Sequence, residues 1–350
     1  MKSFLTALVT LAAALVASGL LVRAMGESPW HVFRILLVSS FGSPSALGYT
    51  FFYATPLILT GLSVALAFHA GLFNVGCEGQ LYIGAFAATL VGLFAPVGNE
   101  PSVFWILLAT LAAFVGGALW GLLPGLLKAY RGSHEVIVTI MLNAVAIALS
   151  SYLTLYVFRD LKSQSIETPT IMASAIVPSL SKISPLPEGS PANFTFFLAL
   201  AMAAATYVFL WKTKQGFSLR ATGESNSAAR CAGIPVRGYI VWAMVLAGGL
   251  AGLVGANDIL GYVHRFKEGF SPGYGFLGIA VALLGRNHPL GIVIAAILFG
   301  ALQNGSIALD LDTEHLSRDL ITVLQGVIIL AAASDGYFRR VFNRLGMRMS

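Results

Sequence analysis

The chain has 350 residues, of which 57% are hydrophobic and only 10% charged, with a mean hydropathy of +0.81. Soluble domains carry about 25% charged residues, so this composition excludes one and leaves an integral membrane protein. The net charge of +6 does not indicate nucleic acid, because the basic residues fall in short loops between apolar runs, as the positive-inside rule requires.

A spanning helix needs about 20 apolar residues. Runs of that kind lie at roughly 4–24, 50–70, 79–96, 103–127, 136–158, 194–211, 239–256, 274–285, 289–308 and 319–334. The expected fold is all-α, with about ten transmembrane helices in a single transmembrane domain over residues 1–350. The first run follows Met1-Lys2 and is longer than the roughly 7–15 apolar residues of a cleavable signal, so it reads as an uncleaved span. Residues 30–41 are too short to cross and read as an interfacial helix on the outer side.

Between the second and third runs lies Leu72-Phe73-Asn74-Val75-Gly76-Cys77-Glu78-Gly79-Gln80. A carboxylate at the centre of a spanning helix costs on the order of 2.5–3.5 kcal/mol. Such a segment survives only if it is buried in protein, lines a wet cavity or lies near the interface. Gly117, Gly121 and Gly125 then share one helical face, as do Gly248 and Gly252, the small-residue pattern that lets helix backbones approach.

Loop charge sets the orientation. Lys128 and Arg131 mark one basic loop, and residues 212–238 hold Lys212, Lys214, Arg220, Arg230 and Arg237 against Glu224 alone. The tail 335–350 carries Arg339, Arg340, Arg344 and Arg348. Residues 159–193 are rich in Ser and Pro with balanced charge, and Asp310, Asp312, Glu314 and Asp319 make an acidic loop. Ten crossings with both termini in the cytoplasm satisfy all these signs.

The eighth run, Tyr274 to Gly285, is short for a crossing. Gly79 to Ala85 and Gly275 to Val281 align at a fixed offset, each after a glycine-rich turn, and run in opposite directions in this topology. An inverted repeat with short, broken segments has this signature, and it marks the binding site in many repeat-built transporters; chance likeness between two Gly/Ala-rich helices would give the same short match. Within the basic loop, residues 219–235 read as one short helix, with Thr222 or Ser225 as N-cap, Gly233 as the stop and Pro235 forbidding continuation. A helix of about eight residues does not hold alone in water, so something must dock on it. Cys77 and Cys231 form no C-x-x-C pair, and the six histidines show no metal-ligand spacing.

The chain resembles the permease subunits of bacterial ABC importers of the ribose type, within them those served by lipoprotein nucleoside receptors. The resemblance rests on Phe73 to Gln80, on His134-Glu135-Val136-Ile137-Val138-Thr139-Ile140-Met141-Leu142-Asn143, on Ala221 to Ile234, and on Gly275 to Pro289 with its Ala282-Leu283-Leu284-Gly285-Arg286-Asn287 run. Cys77 and His134 depart from it, standing where an aliphatic residue and Asn are expected. The resemblance implies a multi-pass protein of the bacterial cytoplasmic membrane, and it makes the basic loop a coupling helix docked on a cytoplasmic ATPase through Arg220, Gly223, Glu224, Asn226, Ala229 and Gly233. It also implies an extracytoplasmic substrate-binding lipoprotein and a second, homologous permease, with a heterodimer favoured over a homodimer. No Gly-x-x-x-x-Gly-Lys-Ser/Thr run occurs, so the phosphate-cradling loop belongs to another subunit, as do ATP and Mg; no cofactor is expected in this chain.

Polar residues inside spans are the candidates for the solute path: Asn74, Glu78, Gln80, Asn143, Asn257 beside Asp258, and Gln303 with Asn304. Amides suit the hydroxyls and ring heteroatoms of nucleosides or simple sugars; each could equally be an interhelical hydrogen bond. Glu78 either lies at the cytoplasmic mouth or pairs with a basic group such as Arg286. An ion-coupled secondary transporter is the competing class, but it wants several membrane-embedded carboxylates, and here Glu78 and Asp258 are the only ones in the first eight spans. An intramembrane enzyme would need a metal cluster, a nucleophile–base pair or paired carboxylates, none of which the sequence offers.

Overall fold

The computed structural model describes residues 16–98, 100–183, 186–312 and 319–333, and all ten apolar runs are helical within it. The helices are α1 (16–24), α2 (Pro29–Phe41), α3 (Pro44–His69), α4 (Cys77–Leu93), α5 (Val103–Arg131), α6 (Glu135–Tyr156), α7 (Thr195–Lys212), α8 (Lys214–Glu224), α9 (Asn226–Cys231), α10 (Val236–Gly252), α11 (Tyr274–Leu284), α12 (Pro289–Asp312) and α13 (Asp319–Ala333). Among the described residues, six helical stretches are long and apolar enough to cross a membrane, while α4 and α11 are shorter. The basic tail 335–350, residues 313–318 of the acidic loop and the two termini lie outside the described residues.

Three boundaries differ from the sequence reading. The third helix starts at Pro44 rather than near 50, since proline is welcome in a first turn. The seventh crossing does not stop at 256: α10 continues into a π-helix, Ala256–Val263, so the crossing is 28 residues long. The basic loop is two helices rather than one. Thr222 lies inside α8, its hydroxyl donating to the Ser218 carbonyl at 2.9 Å, and Ser225 is the N-cap of α9, its Oγ accepting from the Ala228 N–H. Gly233 follows in the left-handed region at φ 79°, and the Ile234 N–H reaches back to Ala229, which closes α9 in a Schellman-type turn.

The chain divides into two compact units, residues 1–53 with 297–350, and residues 54–296. In the first, Val22, Val32, Leu36, Leu309, Ile321 and Leu324 make a buried apolar cluster. The buried Asn304 donates to the Ser39 and Ala46 carbonyls at 2.9 and 3.0 Å and to Thr50 Oγ1, and the Ser40 hydroxyl donates to the Ala301 carbonyl.

The second unit is organised around α4, α5 and α10. The two glycine faces read from the sequence meet each other: Cβ atoms built on Gly117 and Gly121 would collide with the Gly248 and Met244 carbonyls. Gly84 of α4 lies as tightly against Gly252 and Ala113, so three backbones pack nearly in contact. Lipid supplies no hydrophobic drive to bring helices together, and close approach replaces it with dispersion contacts. Most of α4 is buried, whereas α5 and α6 leave large apolar side chains such as Phe104, Leu111, Ile137, Met141 and Val145 uncovered. At one end of this unit the end of α3 meets the basic loop 212–238, Gly71 lying against Gly223. At the other, residues 159–183 and 186–193 form a cap, with Met172, Ile171 and Val177 donating backbone bonds to Gly92, His264 and Leu260.

Candidate translocation site and coupling surface

Between α3 and α4 the helix breaks over residues 70–76. Backbone polar groups left free by a break inside a membrane must find partners within the protein, and here side chains provide them. Asn143, in α6, accepts from the Gly79 N–H at 2.8 Å and donates to the Val75 carbonyl at 2.9 Å, so one amide serves both edges of the break. Asn74 and Gln80 exchange hydrogen bonds at 2.9 and 3.2 Å, and Asn74 also accepts from the Gly76 N–H. Cys77 lies 3.1 Å from the Ser63 hydroxyl. Three of the six amides singled out as path candidates thus meet at the break: Asn74 and Gln80 bond to each other, and Asn74 and Asn143 bond to its backbone.

Glu78 follows in the first turn of α4 and is only 4% exposed. Its Oε2 accepts from the Gly275 N–H at 2.7 Å, and the Ser271 hydroxyl also bonds to it. Of the two placements considered for Glu78, neither describes what is found: its carboxylate is met by backbone, at the N-terminus of α11. Ser271 Oγ accepts from the Gly273 and Tyr274 N–H groups, so Ser271 and Glu78 together satisfy the free first-turn donors of α11. The carboxylate also stands at the positive ends of two helix dipoles, α4 and α11, where negative charge is stabilised.

These helices diverge from Glu78. The end of α4 reaches the 159–193 cap through Gly92, while the turn after α11 reaches the basic-loop end, where His69 Nε2 bonds to the Asn287 carbonyl. Gly278 packs against Thr60 and Gly79 against Asn143. Those positions are nine residues from the end of α3 and eight from the start of α6, or ~12–14 Å at 1.5 Å per residue, near the middle of a ~30 Å hydrocarbon core. With 11 residues, α11 is ~16 Å long, a half-crossing. Gly79 to Ala85 and Gly275 to Val281 therefore begin side by side and run to opposite ends.

At the basic-loop end, α8 is fastened to the α3 terminus. Gly71 adopts φ 73°, and a Cβ on it would lie 3.0 Å from the Gly223 carbonyl oxygen; a Cβ on Gly223 would strike the His69 carbonyl. The Trp211 ring touches His69, His288 and Tyr207 at centroid distances of 5.2, 5.2 and 5.4 Å, and the Arg220 guanidinium lies 5.8 Å from it. Of the residues proposed for coupling, Glu224, Asn226 and Gly233 are exposed, Arg220 and Gly223 are half-buried, and Ala229 is buried at 3%.

Asn257 and Asp258 lie buried in the π-helix, where Asn193 donates to the Asn257 carbonyl and side chain. Gln303 and Asn304 belong to the first unit; Gln303 is half-buried, and its carbonyl accepts from Ser306. Gly275, Ser271 and the Trp211–His69–His288 cluster were missed in the sequence. Gly275 was visible only as part of the repeat, and the cluster joins three segments distant in the chain.

A helical membrane protein whose helices break and meet within the bilayer has the architecture of a transporter's transmembrane subunit. Residues 46–333 match the family described as branched-chain amino acid transport system / permease component, and the chain belongs to that family. It is 36% identical to the guanosine ABC transporter permease protein NupP of Bacillus subtilis, over 99% of this chain and 97% of that one. It is 33% identical to the glucose ABC transporter permease protein TsgB13 of Haloferax volcanii, over 97% and 91%. The Bacillus subtilis guanosine permease protein NupQ is 33% identical over 74% and 80%. The chain is a multi-pass ABC importer permease subunit of the cytoplasmic membrane, without a catalytic role, and it works with an ATPase and a substrate-binding partner. Among the described residues no group of His, Cys, Asp or Glu could hold a metal ion.

Proposed function

We propose that this chain forms half of the translocation path of a nucleoside importer, with simple sugars as the second reading. The observation that carries the path is the meeting at Glu78 of the N-termini of two oppositely running helices, α4 and the half-crossing α11. Half-helix N-termini near the midplane are where repeat-built transporters handle solutes. Glu78 stands on the path, and Asn74, Gln80 and Asn143 shape its wall by holding the break open. The similarity to two guanosine permease proteins supports a nucleoside, and the glucose permease keeps sugars as the alternative.

Residues 159–193 face outward, toward the binding lipoprotein, and residues 212–238 face the cytoplasm. There the exposed Glu224, Asn226 and Gly233 meet the ATPase, which binds ATP and Mg. Ala229, being buried, anchors α9 to its own subunit. Gly223 transmits motion, because it bears on the last turn of α3 just before the break. The similarity to both NupP and NupQ, two permeases of one organism, supports pairing with a homologous, non-identical permease.

The test is co-expression of the neighbouring transporter genes with a tag on this subunit alone, followed by reconstitution and uptake of labelled guanosine and glucose. Receptor-dependent guanosine uptake by a complex holding one copy of this chain is expected. Two copies without a second permease would overturn the heterodimer. Uptake of glucose but not of any nucleoside would overturn the cargo.

A further inference from the structure

We propose that the rings of Tyr82, Phe86, Phe266 and Phe270 form the outer gate of the path above Glu78, held shut by a clamp between residues 163–170 and 264–268; this rests on the importer reading. Tyr82 and Phe86 lie one and two turns beyond Glu78 on the same face of α4, at i+4 and i+8. Phe270 meets Tyr82 at a centroid distance of 4.9 Å, Phe266 meets Phe86 at 5.3 Å and Tyr82 at 6.2 Å, and Phe266 and Phe270 are 5.4 Å apart. Tyr82, Phe86 and Phe266 are at most 5% exposed, so the quartet leaves no room for a solute.

Two of the four rings sit on the non-helical segment 264–273, and that segment leads straight into Ser271 and Gly275, the partners of Glu78. Gly269 and Gly273, at φ 71° and 90°, bracket Phe270, and nothing stands within 4 Å of a Cβ built on Gly269. The segment is tied to the outer cap and to α6: the Ile171 N–H bonds to the His264 carbonyl at 2.8 Å, the Glu268 N–H to the Ile166 carbonyl at 3.4 Å, and the Ser151 hydroxyl to the Glu268 carboxylate at 3.0 Å. Phe266 and Thr168 exchange two bonds of 3.0 Å, and a single bridge pairs Glu167 with Lys267. Arg265 donates to Glu167 at 2.7 Å and to Thr170 at 3.1 Å, and the Ser163 hydroxyl donates to Glu167 at 2.6 Å. Releasing this short clamp frees both rings together and moves the N-terminus of α11, so opening outward is linked to the carboxylate below.

Tying the rings tests this. The full transporter, with this chain as Tyr82→Cys/Phe270→Cys in a Cys231→Ser background, is reconstituted and treated with a short bifunctional methanethiosulfonate. Each single-cysteine variant is treated in parallel. Cross-linking should lower uptake at least tenfold and abolish receptor stimulation of ATP hydrolysis, with both restored by reductant. A second pair, Glu167→Cys/Arg265→Cys, leaves all four rings in place and should be locked in the same reversible way. Cross-linked protein that transports as fast as its reduced form in both pairs would overturn the gate. So would failure of both pairs to cross-link at rest. Because stimulated hydrolysis is read independently of cargo, a wrong nucleoside assignment would leave this result legible.

Discussion

Asn143 gives the most direct test of how the broken helix is held. Asn143→Ala deletes an acceptor 2.8 Å from the Gly79 N–H and a donor 2.9 Å from the Val75 carbonyl, both buried. Leaving a buried polar group unpaired costs about 1–3 kcal/mol. Side-chain bonds within membranes measure lower, averaging about 0.6 and reaching about 1.7 kcal/mol. Two bonds to backbone with no water at hand place the loss at about 2–4 kcal/mol, toward the upper end because both orphaned groups belong to a fixed break. The assay is unfolding of the reconstituted complex in nanodiscs, with uptake normalised to folded protein. Asn143→Ala within about 0.5 kcal/mol of wild type, a change typical of an uninvolved surface site, and with unchanged uptake, would refute the claim that this amide supports the break.

Glu78→Gln keeps an acceptor for Gly275 but replaces a charge-assisted bond by a neutral one, about 1 kcal/mol weaker; uptake should fall several-fold while the amount in the membrane holds, and normal uptake with reduced expression would show a purely structural group. Gly223→Val places a side chain against the His69 carbonyl, so receptor stimulation of ATP hydrolysis should be lost while the ATPase co-purifies at the normal ratio. Asn226→Arg, on the exposed face of α9, should instead reduce co-purification of the ATPase. The Ser163 hydroxyl and then the Arg265 guanidinium hold the Glu167 carboxyl below its usual range. A depressed native value stabilises above the unfolded pKa and is lost as pH falls through the native one, so protease protection of residues 160–170 should stay constant between about pH 5 and 8 and fail only in stronger acid.

The apolar runs were legible because a bilayer leaves few ways to satisfy backbone polar groups, and hydropathy alone then marks the helices. The glycine faces at 117, 121, 248 and 252 were legible for a related reason, since only small residues permit such packing. Less was readable where partners are remote in sequence. Nothing near Glu78 points to Gly275, 197 residues on, except the faint likeness between Gly79–Ala85 and Gly275–Val281. The amides were noticed for their polarity, but polarity cannot tell a group facing a solute from one repairing the backbone; only the bonds of Asn143 to Val75 and Gly79 make that distinction. The π-helix escaped notice because its composition continues that of α10, and the change from α to π lies in the hydrogen-bond register alone.

The meeting of α4 and α11 also explains why one short loop can act on the whole site. Through Gly223, α8 presses on the chain at His69 and Gly71, seven residues before Glu78. Through Arg220, which lies 5.8 Å from the Trp211 ring of α7, it is linked to His288 in the turn after α11, where His69 also bonds to the Asn287 carbonyl. A displacement of α8 therefore reaches Glu78 by two routes, along residues 71–77 into the start of α4 and back along α11 to Gly275. Both routes are short and closely packed, and packed interfaces shift between discrete arrangements rather than deforming smoothly. Moving the two helix N-termini apart would strip the carboxylate of its backbone partner and one of its two dipoles at once. On the proposed roles of α8 and Glu78, a signal arriving from the ATPase side would change how strongly this point of the path binds negative charge and offers hydrogen bonds.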